Sequence, residues 1–129
     1  MNKRTKQRAK CRTWKKGYYH LCTDGKTSIL CYDDAEYVNL VNVIAVLGQK
    51  YPVKVHAYKV MRTHVHLLLS GCGTDCVDAF DYLKYRTSRR LKEDGHQPLP
   101  SNYGFMLIPV EAEDQMRRNI VYIARNALS

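Results

Sequence analysis

The stretch VKVHAYKVMRTHVHLLLS, residues 53–70, decides how this chain folds. It holds two β-rich runs, 53–60 and 63–70, joined by Met61-Arg62. A two-residue link between extended runs predicts an antiparallel hairpin, here without the Asn-Gly chemistry that favours the tightest turns. Side chains alternate along a strand, so Val65, Leu67 and Leu69 share one face while His64, Leu68 and His66 share the other. Apolar residues on both sides predict that both faces of this strand are covered.

Working outward, residues 18–23 (YYHLCT) read as a strand, Asp24-Gly25 as a turn and 28–31 as a second short extended piece. Asp33 or Asp34 can cap a helix that runs to about Leu47. Its apolar positions Tyr37, Leu40, Val41, Ile44, Val46 and Leu47 keep helical spacing, and Gly48 is expected to end it. Beyond the hairpin, Gly71, Gly73 and Thr74 form a loop, 75–94 the longest helix, and Gly95 its stop. A strand at 103–108 is expected to close at Pro109. A last helix then begins near Glu111, with Glu113 and Asp114 in the first turn, as the helix dipole prefers. Strand, strand, helix, hairpin, helix, strand, helix is an α+β order. It predicts an antiparallel sheet of four to five strands with helices packed on it, in a ferredoxin-like arrangement.

A chain of 129 residues suits one domain. Hydrophobic residues at 45% and charged residues at 26% are ordinary for a globular protein, and no apolar run reaches the roughly 20 residues of a membrane span. With no signal-like N-terminus, the expected compartment is the cytoplasm. Five cysteines, an odd number, point to reduced thiols, and no second pair closes a zinc cage with Cys72 and Cys76. The net charge is +9, and Lys3, Arg4, Lys6, Arg8, Lys10, Arg12, Lys15 and Lys16 supply eight of those charges before any acid appears. Residues 1–16 thus read as a flexible basic arm ahead of a single domain over 17–129. Nucleic acid is the first partner to consider, because such an arm gains by releasing condensed counterions.

His64 and His66 lie about 6.5–7 Å apart along a strand, close enough for two imidazoles to converge on one cation. Near the other end, Tyr122 and Asn126 in YIARN are four apart and share a helix face. Tyr122 offers a phenol and Asn126 an amide oxygen that can complete a metal site. The helix 75–94 carries Lys84, Arg86, Arg89, Arg90 and Lys92 beside Tyr82 and Tyr85, the mixture of charge and flat rings that suits a single-stranded nucleic acid.

Together, THVHLLLS on a strand, a long basic helix and YIARN on a last helix resemble the REP-associated tyrosine transposases. The wider group is the single-strand insertion-sequence transposases of the HUH endonuclease superfamily. The resemblance runs from Gly17 onward. It implies the HUH endonuclease fold, with a divalent metal, Mg or Mn, held by His64, His66 and Asn126, and Tyr122 as nucleophile. The same residues would be catalytic: Tyr122, His64, His66 and Asn126. Thr63 departs from the Asn or Asp usual before the first histidine, and relatives often continue beyond the point where this sequence ends.

The activity so implied is metal-dependent cleavage and rejoining of single-stranded or hairpin DNA through a 5′-phosphotyrosine, in the bacterial cytoplasm near the nucleoid. Either a monomer or a homodimer would serve. DNA contacts are expected from Arg12, Lys15 and Lys16 of the arm and from Lys84, Arg86, Arg89 and Arg90. The alternative is a catalytically inactive, domesticated nucleic-acid-binding module of the same fold. A rolling-circle initiator or relaxase would need further domains and another motif order. A zinc protein using the histidines and cysteines would keep its metal without Tyr122 or Asn126.

Overall fold

The computed structural model describes residues 3–25, 27–111, 118 and 120. Its elements run α1 (Lys3–Cys11), β1 (Gly17–Thr23), α2 (Asp34–Lys50), β2 (Lys54–Val60), β3 (Val65–Gly71), α3 (Gly73–Glu93) and β4 (Phe105–Val110). The four strands form one sheet in the order β2-β3-β1-β4, with every neighbour antiparallel. From β1 onward this is the βαββαβ order of a ferredoxin-like domain, as the sequence predicts.

Alternation sorts the sheet into two faces. Tyr19, Leu21, Val65, Leu67, Leu69, Phe105 and Leu107 point into the main core, where α2 brings Leu40, Val43, Ile44 and Leu47 and α3 brings Val77, Phe80 and Leu83. The other face carries Tyr18, His20 and Cys22 of β1, His66 and Leu68 of β3, and Val110 of β4. Leu68 is fully buried there with Val110, and Ala57 packs on them. Both faces of β3 are therefore covered, as expected of its apolar run.

The helix ends have local causes. Asp33 Oδ1 accepts from the Glu36 amide at 2.8 Å, and Glu36 Oε1 accepts from the Tyr32 amide at 2.7 Å, a reciprocal cap that starts α2. Gly48 does not end this helix, which continues to Lys50 before Pro52. A Cβ at Gly48 would stand 3.1 Å from the Val53 carbonyl, so glycine makes room there for the returning chain. Gly95, at φ +80°, follows α3 as predicted. That helix starts at Gly73, two residues before the expected 75.

Four further expectations change. The hairpin link spans residues 61–64, closed by Met61 N–H donating to the His64 carbonyl at 2.9 Å. A two-residue primed turn needs positive φ, and no described non-glycine residue has it. His64 therefore ends the turn and does not lie within β3. Residues 28–31 are not a strand; they form a loop whose Leu30 amide donates to the Arg62 carbonyl at 2.6 Å, and Leu30 and Cys31 are buried. Pro109 does not close β4 but lies inside it, opposite Tyr19. β4 is an edge strand, where a missing N–H is tolerated. Finally, the segment expected to be a flexible arm contains α1. Arg8 pairs with Asp81, and Arg12 with Asp78 at 3.1 Å, both acids on α3, while Cys11 is fully buried. Basic residues that cannot bury a core alone order here by docking on an acidic helix face. The expected final helix lies outside the described residues apart from Arg118 and Ile120, both helical.

Gly73 is the contact on which this docking depends. A Cβ there would come within 1.7 Å of the Cys11 carbonyl and 3.1 Å of Trp14 Cβ. Gly73→Ala is expected to separate α1 from α3 at a cost of about 1–3 kcal/mol. A lower melting temperature, with faster tryptic cleavage at Arg8 and Lys10, checks it.

Candidate active site

The turn that carries His64 is held from below by buried hydroxyls. Tyr103 Oη lies 2.9 Å from Thr23 Oγ1 and 3.1 Å from the Thr63 carbonyl, and Thr23 Oγ1 accepts from the Val65 amide at 2.9 Å. Burial pushes the Tyr103 phenol up to about 12, so it stays protonated as a donor. Gly25 presses on the histidine from the side, since a Cβ there would meet His64 Nδ1 at 2.9 Å. Asp24 completes the frame. Its Oδ2 accepts from the Gly104 amide at 2.9 Å. Tyr103→Phe would leave buried polar groups short of a partner. It is expected to cost about 1–3 kcal/mol and broaden the His64 resonances, measurable by thermal melting and NMR.

On this support the two motif histidines meet, with ring centroids 5.1 Å apart and the planes at 78°. Thr63 Oγ1 lies 3.0 Å from His64 Nδ1, so the residue that departs from the family pattern still contacts the histidine. A third imidazole joins them. His20 Nε2 lies 3.1 Å from His66 Nδ1. These contacts engage Nδ1 of both motif histidines and leave Nε2 as the remaining ring nitrogen of each. Burial, then the neighbouring His20, His64 and Lys59, lowers the His66 pKa to about 4, and burial with Lys59 lowers that of His64. Both imidazoles are therefore neutral near pH 7, the form in which histidine binds a cation. This donor set fits two ligands of a divalent ion. Among the described residues no group of three or more His, Cys, Asp or Glu is placed to hold a metal. Tyr122 and Asn126, the expected nucleophile and third ligand, lie outside the described residues.

The expected DNA-binding cations are dispersed. α3 packs on the core face of the sheet, opposite His66, and four of its basic residues make side-chain contacts within the chain. Arg89 pairs with Glu93 at 3.1 Å, Arg90 with Asp94 at 2.9 Å, and Arg86 donates to Tyr82 Oη at 2.9 Å. Lys84 reaches the Ser101 carbonyl at 2.7 Å, and burial lowers its pKa. Arg12 is held by Asp78, while Lys15 and Lys16 are exposed just before β1. The cysteines are free thiols, with Cys72 Sγ donating to Asp75 at 2.9 Å. His20 was not singled out from the sequence. Parity in YYHLCT sets it on the face away from Tyr19 and Leu21, and only the β1–β3 register brings that face beside His66.

Residues 13–104 match the family described as IS200-like transposases. The chain belongs to this family. Among solved structures, the fold resembles a REP-associated tyrosine transposase bound to a REP hairpin, with a TM-score of 0.68 and 18% identity over 91% of this chain and 70% of that one. It also resembles a protein of Deinococcus radiodurans R1 assigned as a transposase, with a TM-score of 0.57 and 22% identity over 87% and 91% of the two chains. No curated protein matches the sequence. At these identities the neighbours establish a shared fold, which is the HUH architecture expected of an IS200-like transposase. No helix among the described residues is long and apolar enough to cross a membrane.

Proposed function

We propose that this IS200-like transposase cuts and rejoins single-stranded DNA, with Tyr122 as nucleophile and with His64, His66 and Asn126 as ligands of Mg²⁺ or Mn²⁺. The observation that carries the reading is the meeting of His64 and His66 as neutral imidazoles, each with Nε2 outside its Nδ1 contact. Two imidazoles and an amide oxygen suit Mn²⁺, and Mg²⁺ serves where phosphate oxygens fill the remaining positions. A cation held by these residues would supply Lewis-acid polarisation of the scissile phosphate and offset the charge developing on it.

The protein's own part is positional. The Thr23–Tyr103–Thr63 contacts hold the turn, and the turn fixes His64 beside His66. Tyr122 Oη attacks phosphorus. The phenol gives up its proton to water, the new O–P bond forms as the bond to the 3′ oxygen breaks, and the 3′ oxygen takes one proton back from water and leaves as a hydroxyl, so no net proton is gained or lost. The product is a 5′-phosphotyrosine. It keeps the energy of the phosphodiester, so a second 3′-hydroxyl can reverse the step and join strands without a nucleotide cofactor.

The solved relative bound to a REP hairpin supports hairpin DNA as the substrate class. The exposed Lys15 and Lys16 supply charge for its backbone. The test is incubation with end-labelled hairpin DNA carrying single-stranded flanks, with Mn²⁺. A protein–DNA adduct that survives denaturing electrophoresis is expected. Its absence across hairpins of varied sequence, with binding intact, would favour a non-catalytic module.

A further inference from the structure

His20 has no part in the reaction as described, yet its contact with His66 is specific. In the β1–β3 register His20 stands opposite Leu68, and His66 stands opposite Cys22. The two histidines are therefore diagonal neighbours on one face, a separation that long side chains can bridge. Their rings lie 5.3 Å apart at 44°, and the nitrogens meet at 3.1 Å.

One proton must lie between those nitrogens, and its owner decides what His66 can do. If His20 Nε2–H donates to His66 Nδ1, the neutral His66 carries its own proton on Nε2 and has no lone pair there. If His66 Nδ1–H donates to His20 Nε2, the Nε2 lone pair of His66 is available. Beside His66 on this face, Lys59, opposite it on β2, brings donors only, Leu68 is apolar, and Cys22, opposite it on β1, turns its thiol to the Thr23 carbonyl and has only a weakly accepting sulfur. Ligating histidines usually hand their second N–H to a carboxylate or a carbonyl, and here an imidazole occupies that place.

We infer that His20 is a positioning residue, accepting the Nδ1 proton of His66 and so fixing the tautomer and ring orientation that present Nε2 to a divalent cation. The inference rests on the proposed ligand role of His64 and His66, and one of its readouts does not depend on that role. Long-range ¹H–¹⁵N spectra of the metal-free protein report the His66 tautomer directly. The Nδ1–H form is expected, and a predominant Nε2–H form would overturn the inference.

Mn²⁺ affinity, by calorimetry on the full chain, gives the second readout. His20→Phe keeps a ring and removes the acceptor, and a 10–100-fold loss of affinity is expected with the melting temperature little changed. His20→Gln places an amide oxygen near the former Nε2 and should recover most of that loss. Unchanged affinity in His20→Phe, or equal losses in both variants, would count against the inference. His64→Ala serves as the control: if it leaves Mn²⁺ affinity unchanged, the ligand assignment fails, while the tautomer spectrum still decides the role of His20.

Discussion

Tyr122→Phe is expected to abolish the covalent protein–DNA adduct and to reduce strand cleavage by at least about 10⁴-fold, while hairpin affinity stays within about twofold. The substitution removes one oxygen. Phe keeps the ring, so packing and the cationic surface are preserved, but no atom remains to form the bond to phosphorus. A phenol of pKa about 10 is a weak nucleophile until its proton is drawn off beside the phosphate, so no other hydroxyl is expected to replace it by chance. Denaturing electrophoresis of the labelled strand measures the adduct, and fluorescence anisotropy measures binding. A variant that still forms the adduct would move the nucleophile elsewhere.

The second large effect concerns the histidine pair. His64→Ala and His66→Ala are each expected to weaken Mn²⁺ binding by more than about 100-fold and to bring cleavage to the level seen with EDTA. The double variant should be little worse than either single one, because both act on one site. EDTA should abolish cleavage by the unaltered protein, and added Mn²⁺ should restore it. The fold should survive, since neither imidazole belongs to the main core that holds Leu67, Leu69 and Phe80. Calorimetry and circular dichroism separate the two effects. If both variants bind Mn²⁺ normally, the cation is held elsewhere.

Much of the architecture was legible in the sequence because it rests on periodicity. Alternation gave β1 and β3 their faces, helical spacing gave α2, and Asp33 and Gly95 marked helix ends through chemistry that sequence displays. The departures come from contacts between distant segments. Nothing near Pro109 announces that its strand will be an edge, which is what lets proline stay inside it. The arm becomes helical against Asp78 and Asp81, more than sixty residues away. Leu30 is drawn to the Arg62 carbonyl and is lost to the sheet.

The site divides in the same way. His64 and His66 were legible because two residues of a motif keep their spacing in any fold. His20 was not, because a lone histidine in a strand gains meaning only from the register that sets it diagonal to His66. The basic helix is a different case: its composition suggests a DNA surface, and the fold adds only that Arg89 and Arg90 pair with acids one turn on and that α3 packs on the face opposite His66.

The central claim is that one cation is shared by the middle and the end of the chain. Anomalous diffraction at the manganese edge, from crystals soaked in Mn²⁺, tests it most directly. The account predicts a single strong peak about 2.0–2.3 Å from Nε2 of His64, Nε2 of His66 and the side-chain oxygen of Asn126, with the Tyr122 phenol facing the same ion. A peak that omits either histidine, or one that has both while Asn126 and Tyr122 stand apart in every copy, would contradict it.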